Sequence, residues 1–168
     1  MAGAAVAGRP AKLSLVRCGL AGLEKGQTDV TSGEAIMRIE QARGLAELLE
    51  AAYSAFEDVL AQVREHQDPA SGYFIPMVMA AASAANGRDY LGMAPSLPAS
   101  APREAAGPRP MLLPDDQAAR QIAAACQLLA GKLAAATSSA LAPGDARACT
   151  GAARCAREIT SLMDGRPA

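Results

Sequence analysis

The sequence predicts an all-α protein, a helical bundle of about four main helices with one long amphipathic helix, a disordered N-terminal tail and a Pro-rich middle linker. Three observations predict it. Apolar residues recur every seven positions between Thr31 and Asp68. Apolar side chains return at helical spacing from Ile122 to Met163. The chain of 168 residues holds 41 alanines against two phenylalanines, three tyrosines and no tryptophan, and alanine is the best helix former. Helices with such small side chains approach closely while each contact buries little area, so modest stability is expected.

The long helix starts at Thr31, where Glu34 three residues on completes a capping box. Ala42, Leu49, Phe56 and Val63 form one apolar column, Leu45, Ala52 and Val59 a second, and Ala46, Tyr53 and Leu60 widen the stripe. Three adjacent columns describe a buried bundle helix more than a two-stranded coiled-coil seam. Asp68-Pro69 ends it, because the residue before proline is pushed out of the helical region. At about 1.5 Å per residue this helix is longer than any other in the chain, so part of its stripe needs cover from elsewhere. Gly44 can kink it, helices of the second half can lie along its start, or a second copy can pair with it.

Its opposite face carries Glu40 and Glu47, Glu50 and Glu57, and Asp58 and Glu65. Residues 31–70 hold eight carboxylates against three arginines. A solvated face explains this, and an acidic docking surface for a basic partner is the sharper reading.

The next helix starts near Ile75, its proline tolerated in the first turn, and stops at Asn86-Gly87. It is apolar on every side, which predicts a place in the middle of the core with Met77 and Met79 filling gaps. Six of the eleven prolines fall between Pro95 and Pro114, an extended linker. Beyond it, Pro114-Asp115-Asp116 opens a helix over 115–141. Pro143-Gly144-Asp145 then turns the chain into a last helix over 145–163, with Arg147 and Arg154 on its outer face. The expected organisation is one domain: residues 1–30 a flexible tail, 31–92 the long helix and the short apolar one, 93–114 the linker, and 115–165 a helical hairpin packed on the first pair.

Chemistry is sparse. Cys149 and Cys155 lie about 9 Å apart along one predicted helix, too far for a disulfide. Cys126 falls out of step with both, and there is no CxxC. All four cysteines, Cys18 included, read as reduced thiols serving as small apolar side chains. His66, the single histidine, matches no zinc spacing and suits the negative end of the long helix. No phosphate loop, dinucleotide fingerprint or di-iron Glu-x-x-His repeat is present.

No cofactor and no enzymatic activity are expected. The net charge of −1 argues against nucleic acid as a partner. The first thirty residues lack the apolar run of a secretory signal, and no stretch reaches membrane-span length, so a cytoplasmic protein without membrane contact is expected. The sequence reading is therefore a cytoplasmic helical protein–protein interaction module, self-associating or bound to another protein. Its candidate surface is Glu40, Glu47, Glu50 and Glu57 with Arg147 and Arg154. The alternative is a small-molecule-binding regulatory bundle with a pocket at Tyr53, Phe56, Tyr73 and Met77.

Overall fold

A computed structural model describes residues 32–99 and 113–165. Among these the protein is all helical: α1 (Ser32–Gln41), α2 (Leu45–Glu65), α3 (Phe74–Gly92), α4 (Asp115–Thr137) and α5 (Pro143–Asp164). The expected tail at residues 1–30, Thr31 of the capping box, Cys18 and most of the Pro-rich segment lie outside the described residues.

The rod expected from Thr31 to Asp68 is two helices. Ala42, Arg43 and Gly44 interrupt it, with Gly44 extended at φ −137° and ψ 170°. Glycine costs about 1 kcal/mol in a helix interior relative to alanine, so this is where winding is weakest. Glu47 reaches back to accept the Arg43 N–H at 2.7 Å, and the Gly44 carbonyl accepts the first bond of α2 from Leu48 at 2.9 Å. The break has a packing consequence. It folds α1 onto α4 and α2, so that Ala35 and Ile39 are buried where a straight rod would carry them past the other helices. Arg38 of α1 then meets Asp58 of α2 at 2.6 Å.

The four longer helices stand in a ring, α2 beside α3, α3 beside α5, α5 beside α4, with α1 wedged where α4 and α2 touch less. Phe56, Leu49, Met77, Leu91, Ile122, Leu129, Leu133 and Ile159 fill the centre, and alanines line the seams between helices.

The apolar third helix departs from expectation twice. It runs through Asn86-Gly87 to Gly92 rather than stopping there. Gly87 stays helical because its missing side chain makes room: a Cβ there would stand 2.4 Å from Phe56 Cζ. Nor is the helix buried on all sides, for Ile75, Val78 and Met79 face solvent.

The second helical pair begins and ends within a few residues of the expected bounds, and Pro143 takes the first position of α5, where its absent N–H is not missed. The described start of the Pro-rich segment is tied to α5. Asp145, 2% exposed, accepts the Ser96 N–H at 3.0 Å and the Ser96 hydroxyl at 2.8 Å. Pro95 lies against Gly144, where a Cβ would come within 2.9 Å of its ring.

Candidate functional site

The acids expected to form one docking face are divided by their partners. Glu57 is held by Arg88 of α3 at 2.9 Å, a hydrogen bond that also raises the pKa of the Arg88 guanidinium. Glu47 caps the start of α2. Glu40 is exposed and Glu50 half-buried. Glu47 and Glu50 line a shallow groove of about 390 Å³ at the junction of α1 and α2, with Arg38 and Gln41 beside them. Arg147 and Arg154 belong to α5, across the ring from α2, and no ion pair among the described residues joins them to these acids.

Arg147 and Arg154 instead share a groove of about 550 Å³ with Arg157, and Tyr90 of α3 forms one wall of it. All three arginines are exposed. Arg154 donates to the Tyr90 hydroxyl at 3.0 Å, and its guanidinium carbon sits 5.8 Å from the ring centroid. Tyr90 can approach α5 this closely because residue 151 is glycine, where a Cβ would fall 2.5 Å from the ring. Thr137 and Thr150, also in the groove, each donate to a carbonyl of their own helix at 2.7 Å, those of Ala134 and Ala146. The spacing of Arg147 and Arg154 marked one face in the sequence. Tyr90 was missed because only the meeting of α3 and α5 brings it to Arg154. Arg157 was missed although its position three residues after Arg154 on the same helix is a signal the sequence carries.

The solvent side of α3 is a separate feature. Ile75 is 68% exposed, Val78 49% and Met79 48%, and Ala82 continues the same line. These positions are i, i+3, i+4 and i+7, one face of a helix.

No family model, curated protein or solved structure matches this chain.

The proposed pocket residues divide in two. Phe56 and Met77 are fully buried in the core, while Tyr53 and Tyr73 are half-buried at its edge.

The lone histidine sits in a cluster that the sequence did not reveal. His66 caps α2, its Nδ1 2.8 Å from the Gln62 carbonyl and its Nε2 2.9 Å from the Leu113 carbonyl. Asp115 stands 3.9 Å from Nε2 and accepts the hydroxyl of Ser71. Serine, aspartate and histidine are thus together, but in the wrong order for nucleophilic catalysis, which needs the imidazole beside the hydroxyl. The cluster ties the end of α2 to the start of α4, and with it the return of the chain from the Pro-rich segment.

Cys126, Cys149 and Cys155 are free and buried. Burial pushes the Cys126 thiol up to about 12 and raises Cys149 and Cys155, so all three stay protonated at neutral pH and lack the thiolate a nucleophile requires. Among the described residues no group of three or more His, Cys, Asp or Glu side chains is placed to hold a metal ion, and no helix is long and apolar enough to cross a membrane.

Proposed function

We propose that this chain is a non-enzymatic, cytoplasmic helical interaction module that pairs with a second copy of itself through the outer face of α3. The observation that carries the reading is the solvent-facing line of Ile75, Val78 and Met79. The sequence motive for pairing was an over-long stripe on one rod. That motive is gone, since α1 folds back and α3 and α4 cover α2. The α3 face replaces it.

A second copy is the occupant this face fits. Two such faces laid antiparallel about a twofold axis near Val78 and Met79 set Ile75 of each against Ala82 of the other, so that large meets small. Isologous contacts of this kind are the commonest in soluble oligomers. Asn86 and Asp89, further along the same side of α3 and exposed, supply the polar rim that such interfaces carry. The apolar centre is small beside the roughly 800 Å² per partner of a standard interface, so a micromolar rather than nanomolar dimer is expected.

Size-exclusion chromatography with light scattering tests it. The wild-type chain at tens of micromolar should run at twice the monomer mass, and Ile75→Glu should run as a monomer with unchanged helical circular dichroism. A strictly monomeric wild type removes the pairing.

A further inference from the structure

We infer that the arginine groove between α3, α4 and α5 binds a small anion carrying at least two phosphate groups. This site lies apart from the α3 pairing face and does not depend on it.

Charge distribution is the first argument. The chain has one more acid than base, yet the groove collects Arg147, Arg154 and Arg157, and its described lining includes no carboxylate. None of the three takes part in an ion pair among the described residues. Two exposed arginines elsewhere do find acids, Arg120 with Asp116 at 2.7 Å and Arg38 with Asp58 at 2.6 Å. Arg43 and Arg64 stand exposed and singly, neither of them lining a groove with a second arginine among the described residues. The groove gathers three guanidiniums against a floor of small residues, Gly151 among them, with the carboxylates of Asp89 and Glu158 on the far side of Arg154.

Preorganisation is the second. Arg154 is fixed by the Tyr90 hydroxyl and stacked toward its ring, so part of the entropy of ordering a guanidinium is already lost before a ligand arrives. The Tyr90 oxygen accepts from Arg154 and keeps its own hydrogen to donate to an anion. Guanidinium forks match phosphate oxygens in pairs, which a lysine cannot do.

Spacing and size set the class of ligand. Arg154 and Arg157 are about 4.5 Å apart along the axis, near enough to share one phosphate, while Arg147 is about 10 Å from Arg154. A single phosphate reaches one end only. A diphosphate or nucleoside diphosphate reaches both. The volume, about 550 Å³, falls in the range of pockets that hold small ligands. A nucleic acid strand is disfavoured because its charges would continue onto a protein whose net charge is −1 and whose α1–α2 side is acidic.

Calorimetric titration of the full chain with pyrophosphate, ADP, orthophosphate and a poly-glutamate peptide, at low salt, tests the assignment. Pyrophosphate and ADP should bind saturably, orthophosphate about tenfold more weakly, and the affinity should fall as salt screens the groove. The double variant Arg147→Gln with Arg157→Gln should lose about tenfold in pyrophosphate affinity. Its melting temperature should not change, because neither side chain holds the fold together. Arg157→Glu gives the same reading by charge reversal. The inference is overturned if no phosphate probe saturates at millimolar concentration, if the variants bind pyrophosphate as the wild type does, or if poly-glutamate binds more tightly than pyrophosphate. The last result would make the groove a docking site for an acidic protein segment.

Discussion

Helix α3 meets its two neighbours by the same device used in opposite directions. Toward α2 it offers a glycine, Gly87, to a ring, Phe56. Toward α5 it offers a ring, Tyr90, to a glycine, Gly151. The first seam is dry, with Phe56 fully buried, and the next residue on each helix forms an ion pair over it, Glu57 with Arg88. The second is wet, with Tyr90 half-exposed and its hydroxyl bonded to an arginine. In a protein with five aromatic residues, ring-on-glycine contacts let alanine-lined helices close without a void. The difference between the seams is what surrounds the ring. Phe56 is boxed in and serves stability, whereas Tyr90 has one side free and can serve a surface.

Adding a methyl group at each glycine separates the two. Gly87→Ala places a Cβ 2.4 Å from Phe56 Cζ and 2.7 Å from the neighbouring ring carbons, and a fully buried ring has nowhere to retreat. Overpacking of this kind costs about 1–3 kcal/mol and sometimes more, while alanine returns about 1 kcal/mol of helix propensity. A net loss of up to about 2 kcal/mol is expected in urea or thermal unfolding. An unchanged melting temperature would show that α2 and α3 slide apart freely, and the dry seam would lose its claim to rigidity.

On α2 the neighbouring carboxylates Glu57 and Asp58 sharpen the same contrast. Glu57 borders the dry seam, and Asp58 faces α1. Burial raises the Asp58 pKa from 3.8 to about 6, prevailing over the Arg38 partner that lowers it, with Glu34 and Glu57 adding to the rise. The folded state then holds this proton more tightly than the unfolded chain does. Asp58 therefore subtracts stability above about pH 6, and the loss is relieved as pH falls from about 6 toward 3.8. Asp58→Asn should stabilise the protein by about 1 kcal/mol at pH 7.5, less than the full linkage because Asp58 keeps some contact with solvent, which screens its charge. The advantage should shrink toward pH 4. Other carboxylates titrate in both proteins, so the difference between wild-type and variant melting curves isolates this one. An advantage that grows on acidification would reverse the assignment.

How much of this was legible in the sequence follows the same division. The α4–α5 hairpin was read to within a few residues, because Pro114-Asp115-Asp116 and Pro143-Gly144 act locally: each fixes a helix start without help from the rest of the chain. Residues 31–68 carried a clear apolar stripe, yet whether Gly44 breaks it depends on what α1 gains by turning onto α4, a tertiary quantity. Asn86-Gly87 misled for a related reason. Its composition says stop, and the ring of Phe56, thirty-one positions earlier, explains why glycine stands inside a helix. The expected surface acids were visible as a periodic face, but the partners that divide them, Arg88 for Glu57 and the Arg43 N–H for Glu47, come from another helix and from the break itself. Tyr90 beside Arg154 had no sequence signature at all, since the two are separated by sixty-four positions.

The smallest effect belongs to the wet seam. At Gly151 an added Cβ would stand 2.5 Å from Tyr90 Cγ and Cδ1, a clash as short as the one at Gly87, so distance alone predicts equal damage. Surroundings predict otherwise. Tyr90 can swing toward solvent, giving up its contact with Arg154, and the cost of that exposed contact is at most about 1 kcal/mol, close to what alanine restores to the helix. Gly151→Ala should therefore change the unfolding free energy by less than about 1 kcal/mol in either direction. It should nonetheless alter the tyrosine absorption and fluorescence, because the ring leaves the guanidinium. If Gly151→Ala instead destabilises as much as Gly87→Ala, Tyr90 is as immobile as Phe56, and the half-exposed ring must be counted with the core rather than with the groove it lines.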